Sequence, residues 1–74
     1  MRRDEWLASF CERLDLEPPS KEEVVALLDL AATAAHSSER TAAPLACWVA
    51  GRSDRPLAEL GEIAKEVAPA DEPS

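Results

Sequence analysis

Residues 20–35 of this chain read SKEEVVALLDLAATAA, and this stretch decides the fold. Ser20 and Glu23 have the spacing of a capping box, in which a hydroxyl and a carboxylate satisfy backbone N–H groups at the start of a helix. Apolar side chains then recur every three or four residues, as on one face of an α-helix, at Val24, Leu27, Leu28, Ala31 and Ala35. The stretch therefore predicts an amphipathic helix over about 21–35, whose alanines let a neighbouring helix approach closely.

Helical patterns continue on both sides of this stretch. Towards the N-terminus, apolar spacing predicts a helix over 4–14, which the proline pair at 18–19 separates from the next helix. Towards the C-terminus, a short helix over 43–50 is expected to stop at Gly51, and Asp54 is expected to cap a fourth helix over 55–67. Three large residues of the third helix are expected to face the core together, namely Leu45, Trp48 and Val49.

No stretch alternates apolar and polar residues over the length of a strand, so the predicted fold class is all-α. We expect a compact bundle of four short helices at about 4–14, 21–35, 43–50 and 55–67. Its core is predicted to form around Phe10, Leu28, Trp48 and Leu60. Residues 1–67 are predicted to be a single helical domain, and the acidic, proline-containing residues 68–74 a disordered tail.

The charge balance excludes several classes of function. The 74 residues carry 15 acidic and eight basic side chains, a formal net charge of -7. Nucleic-acid binding and docking on an anionic membrane both need a surplus of Lys and Arg, so neither is expected. No apolar run is long enough to span a bilayer, and the first residues lack the pattern of a signal peptide. The expected location is the cytoplasm.

The residues needed for catalysis or metal binding are scarce. His36 is the single imidazole, and neither Cys11 nor Cys47 has basic sequence neighbours that would favour a thiolate. These three residues lack the paired short spacing of a zinc site, and two glycines cannot build a phosphate-binding loop. We therefore expect a protein that is not an enzyme, with no catalytic residue, no metal and no cofactor.

A binding role has a few candidate residues. His36, Glu39 and Arg40 lie in or beside the predicted connection between the second and third helices, and Arg52 follows the third helix. Such a set could bind an anionic ligand or the carboxylate of a partner. Alternatively, the role of His36 and Arg40 could be limited to stabilising the ends of helices. Trp6, close to the N-terminus, is predicted to be exposed and to face a partner.

Six short segments together give the chain a recognisable pattern: DEWL at 4–7, LLDLA at 27–31, AH at 35–36, ER at 39–40, AAPL at 42–45 and GR at 51–52. With them the chain resembles a small bacterial helical domain family of unknown function. That family occurs as stand-alone proteins and as a C-terminal extension of molybdenum-cofactor guanylyltransferase-like proteins. The resemblance implies a context in molybdopterin guanine dinucleotide biosynthesis or molybdoenzyme maturation, and it supplies no catalytic residues.

Three functions remain open at this level. The first is a non-catalytic accessory module that binds a molybdenum-cofactor guanylyltransferase or a molybdoenzyme maturation protein. The second is a domain that binds a pterin or a nucleotide phosphate through His36, Arg40 and Arg52. The third is a self-associating structural domain, in which a homodimer covers the thin core and the alanine-rich second helix.

Overall fold

The computed structural model of the chain describes residues 2–67, which form four α-helices and no strand. These are α1 (Arg3–Leu14), α2 (Lys21–Ser37), α3 (Ala42–Arg52) and α4 (Leu57–Glu66). The all-α, four-helix prediction is confirmed. The predicted disordered tail at 68–74 lies outside the described residues.

The start of α2 has the capping box that the sequence predicts. The Ser20 hydroxyl accepts a hydrogen bond from the Glu23 backbone N–H at 3.1 Å, and the Glu23 carboxylate accepts one from the Ser20 N–H at 2.8 Å. Two N–H groups that the helix cannot pair internally are thus satisfied. This arrangement fixes where α2 begins.

The other helix ends differ from the prediction by a few residues. Helix α2 continues through His36 to Ser37, and α3 continues through Gly51, which has no positive φ. Asp54 does not cap α4, because Pro56 occupies the N-cap position, while the Ser53 hydroxyl accepts from the Arg55 N–H in the turn before it. Backbone hydrogen bonding in the last turns favoured a longer helix over the stop that glycine allows.

Helix α1 ends in a Schellman motif. Asp15 adopts the left-handed conformation (φ 61°), its N–H donates to the Glu12 carbonyl at 3.1 Å, and the Leu16 N–H donates to the Cys11 carbonyl at 2.9 Å. Glycine is the usual residue in this conformation, but aspartate is among the side chains that tolerate it. The motif turns the chain towards the proline pair that leads into α2.

The packing centre of the molecule is α2, which contacts both α3 and α4, whereas α1 makes no comparable contact with any other helix. Small residues form the side of α3 that is more protected from solvent, namely Ala42, Ala43, Ala46, Cys47 and Ala50. Small side chains let two helix axes approach closely. Within residues 2–67, Leu30 and Ala50 are the buried apolar residues, with 6% and 7% exposure.

The predicted core is therefore mostly wrong. Phe10, Leu28 and Trp48 are 49%, 54% and 64% exposed, and only Leu60 is half-buried. The prediction counted large apolar residues, but on α3 the small ones pack inwards. The larger residues of that helix are left on its outer side.

Candidate functional site

A continuous apolar surface covers the outer side of α3, and we call Leu45, Trp48 and Val49 the α3 face. Trp48 and Val49 follow Leu45 by about one helical turn, and the three side chains are 64%, 61% and 66% exposed, respectively. The sequence analysis placed all three in the core, which the structure contradicts. The opposite side of α3 packs on α2, and the other residues between 2 and 67 leave the α3 face open.

Arg52 completes this surface. Its guanidinium carbon lies 4.6 Å from the centroid of the Trp48 ring, one turn earlier on the same helix. An arginine over an indole face makes a cation–π interaction. Arg52 also keeps hydrogen-bond donors beside an apolar surface. The α3 face can thus offer apolar contact and a positive charge to the same binding partner.

The other predicted binding residues do not join Arg52. His36 lies in the last turn of α2, and Glu39 and Arg40 lie in the connection to α3, all three exposed. Arg52 is at the far end of α3, about 15 Å along the helix axis from its first residue. Single-site binding of one phosphate by Arg40 and Arg52 is therefore not favoured by this geometry.

His36 lies in the last turn of α2, as the helix-end role requires, and Arg40 lies beyond the end of that helix. Within residues 2–67, neither side chain makes a hydrogen bond or ion pair with another residue. The connection is held instead by its backbone, in which the Glu39 carbonyl accepts from the Ala42 N–H at 2.8 Å. The binding role of these two side chains stays a prediction.

Trp6 is exposed, as the sequence predicts, but it is not isolated. Its ring stacks on Phe10 with 5.0 Å between the ring centroids and 28° between the planes. The two rings lie one turn apart on α1 and form a second exposed apolar surface. Helices α1 and α3 thus each carry an exposed apolar surface that includes a tryptophan.

The two thiols are half-buried and belong to different helices, Cys11 to α1 and Cys47 to α3. The Cys47 thiol donates a weak hydrogen bond to the Leu27 carbonyl, with 3.9 Å between sulfur and oxygen, so this thiol takes part in the α2–α3 packing. No group of three His, Cys, Asp or Glu side chains in the described part of the chain is arranged to hold a metal ion. No helix between residues 2 and 67 combines the length and apolar character needed to cross a bilayer.

The charged groups form short-range pairs at the surface. Arg3 donates a hydrogen bond from Nε to Asp4 at 2.8 Å, which raises the pKa of Arg3, with their Coulomb attraction as a second cause. Because an arginine is already charged at neutral pH, this shift does not alter its protonation there. Arg55 pairs with Glu59, and Lys65 with Glu62, both along α4.

A cleft of about 490 Å³ lies between α1 and the start of α2. Its walls are largely apolar and include Leu7 and Val24, and three charged residues also line it, namely Arg3, Asp4 and Lys21. The volume falls in the range of small-molecule sites. The sequence analysis did not predict this cleft, because it depends on how α1 and the proline segment meet α2.

Sequence reasoning also missed the α3 face, although one signal could have found it. Residues 42–50 place small side chains on one side of the helix and large ones on the other. When such a helix has neighbouring helices on one side alone, only that side can be packed, and the apolar residues of the other side stay exposed. The difference in size indicates which side meets a closely packed neighbour.

Comparison with known proteins places these features in a family. A family model described as a domain of unknown function (DUF6457) matches residues 1–71. No curated protein and no solved structure matches the chain.

Proposed function

The chain belongs to the DUF6457 family of unknown function, and from that premise we propose that it is a protein-interaction module that binds its partner through the α3 face. The observation that carries this proposal is the exposure of Leu45, Trp48 and Val49 on a helix already packed on its other side. Exposed tryptophan and arginine are the side chains most often found at the energetic centre of interfaces. In this role the chain performs no catalytic step itself.

The chemistry of the α3 face defines the partner's surface. An apolar groove is needed to cover Leu45, Trp48 and Val49, and an acceptor such as a carboxylate beside it would pair with Arg52. Since the chain has a net charge of -7, basic residues around that groove would speed the encounter at low salt. His36, Glu39 and Arg40 remain candidates for the polar edge of the same contact.

The partner that we propose is a molybdenum-cofactor guanylyltransferase or a molybdoenzyme maturation protein. The resemblance of segments 4–7, 27–31, 35–36, 39–40, 42–45 and 51–52 to domains attached to guanylyltransferase-like proteins supports this choice. A domain that occurs fused to an enzyme in some proteins is a reasonable binding partner of that enzyme where the two are separate chains. The α3 face would provide the contact.

The test measures binding of the purified chain to a purified molybdenum-cofactor guanylyltransferase by titration calorimetry. Trp48→Ala should weaken binding at least about tenfold, because loss of a central aromatic anchor typically costs more than 1.4 kcal/mol. The matched control is Leu28→Ala, which truncates a similarly exposed apolar side chain on α2 and should leave the affinity unchanged. Equal affinities for wild type and Trp48→Ala would refute the α3 face, and absence of binding would refute this partner.

A small ligand is the second candidate function, and the α1–α2 cleft is the observation that favours it. Its apolar walls, and the two cations Arg3 and Lys21 against the single carboxylate of Asp4, fit a flat heterocycle carrying an anionic group, such as a pterin phosphate. Titration of isotope-labelled protein with a pterin should then shift the amide signals of Val24 and Val25. Shifts confined to residues 36–52 would instead favour the His36–Arg40 region, and no shifts at all would dismiss this function.

A further inference from the structure

Helix α1 carries a hollow with the form of a helix-docking site. Four residues surround it, namely Trp6, Ser9, Phe10 and Arg13, and its volume is about 410 Å³. They stand at positions i, i+3, i+4 and i+7, the four residues that receive one side chain of a facing helix in knobs-into-holes packing. Among the helices of residues 2–67, α2 packs against both α3 and α4, and none packs against α1 to a comparable extent.

We propose that a second copy of this chain occupies this hollow, and that the two copies pair through antiparallel α1 helices. Trp6, Phe10 and Leu14 form a stripe with four-residue spacing, and Phe10 is its midpoint. A two-fold axis beside Phe10 brings Phe10 of each copy to the hollow of the other and places Trp6 opposite Leu14. The large Trp6 thus meets the smaller Leu14. The two helix dipoles point in opposite directions, which is the favourable arrangement.

The charge distribution on α1 favours this surface for contact between two acidic chains. Its three carboxylates, Asp4, Glu5 and Glu12, lie at least about 80° around the helix from the stripe when each residue advances by 100°. Arg13 borders the hollow. Two chains of charge -7 therefore meet where α1 presents apolar and basic groups rather than carboxylates.

The exposed area is that of a weak, reversible dimer. Trp6, Phe10 and Leu14 are each about half exposed, and together they leave roughly 300 Å² uncovered per chain. Two copies then contribute roughly 600 Å², and homodimer interfaces are about 65% apolar, so the whole interface comes to roughly 900 Å². That value lies in the range of weak and transient interfaces, just below the about 1,000 Å² of stable ones.

This surface differs from the one that the sequence suggested for self-association. The alanine-rich side of α2 was the expected contact, but α3 and α4 already occupy it within one chain. The α1 dimer also does not rest on the proposed partner, because the α3 face lies on another helix.

Sedimentation equilibrium of the full chain tests the dimer. Wild type should approach twice the 8.0 kDa chain mass as concentration rises. Phe10→Glu, which puts a carboxylate at the centre of the contact, should raise the dissociation constant at least about tenfold. Leu28→Glu is the matched control, with the same charge change at a similarly exposed position on α2, and should dimerise like wild type.

A second measurement separates loss of the dimer from loss of folding. In a Trp48→Phe background Trp6 is the remaining tryptophan, and dilution should shift its emission to longer wavelength as its ring becomes hydrated. Circular dichroism of Phe10→Glu should keep the wild-type helix content, and this variant should still bind the guanylyltransferase if the proposed function holds. A wild-type chain that stays monomeric at millimolar concentration, or a Phe10→Glu dimer as tight as wild type, would overturn the proposal.

Discussion

Alanine and leucine, not the aromatic residues, occupy the best-protected positions of this molecule. Ala50 of α3 and Leu30 of α2 are the buried apolar pair of the described chain, while Trp48 lies on the outside. Since burial of apolar surface is the main stabilising term, individual inward positions matter greatly in so thin a core. An outward aromatic residue contributes little to folding and is free to serve binding.

Leu30→Ala should lower the free energy of unfolding by about 2–4 kcal/mol, because it removes a buried side chain and leaves a cavity. Leu28→Ala should cost less than about 1 kcal/mol, since that side chain is more than half exposed. Urea denaturation of the two variants measures both values. Equal losses of unfolding free energy in the two variants would mean that the Leu28 side chain is buried in solution.

At the scale of the helix, local interactions determine the ends more clearly than the packing does. The capping box at Ser20 and Glu23 joins groups three residues apart and was visible in the sequence. The C-terminal ends of α2 and α3 were predicted too early, because Ser37 and Gly51 are only weakly unfavourable in a helix. A single residue that disfavours helix predicts a helix end less accurately than a capping box, in which two residues bond to each other's backbone.

Ser20→Ala should destabilise the chain by about 1 kcal/mol, since it removes the acceptor for the Glu23 N–H. Ser20→Asn keeps a neutral side-chain acceptor there and should remain within a few tenths of a kcal/mol of wild type. Thermal unfolding followed by circular dichroism compares them. If both variants lose stability equally, the hydroxyl's hydrogen bond is not the stabilising element.

For the whole molecule, the sequence predicted the helices but not which of their faces meet. Apolar spacing on α1 and α3 marks residues that can pack, but it does not say whether the partner belongs to the same chain. The positions of Trp6, His36, Glu39, Arg40 and Arg52 on the surface were foreseeable from their locations along the chain. The size difference between the two sides of α3 was a local signal for the α3 face, whereas the α1–α2 cleft depends on tertiary contacts that no local pattern specifies.

If two copies pair through α1, the midpoint of thermal unfolding should rise by several degrees when the protein concentration is increased 100-fold, because association stabilises the folded state. Scanning calorimetry at two concentrations checks this expectation. Phe10→Glu should show a midpoint independent of concentration. A constant midpoint for wild type would indicate that one chain folds without assistance.

The inward placement of small side chains on α3 has a consequence for the variation that this domain can accept. Changing Ala46 or Ala50 to a larger residue would push α2 and α3 apart. The need to fold therefore restricts substitution at these two alanine positions. Leu45 and Val49 are free of that restriction, and only a binding partner would keep them apolar over time. Among natural relatives, variable alanines would thus be a sign of a different fold, and variable outer residues a sign of a different partner.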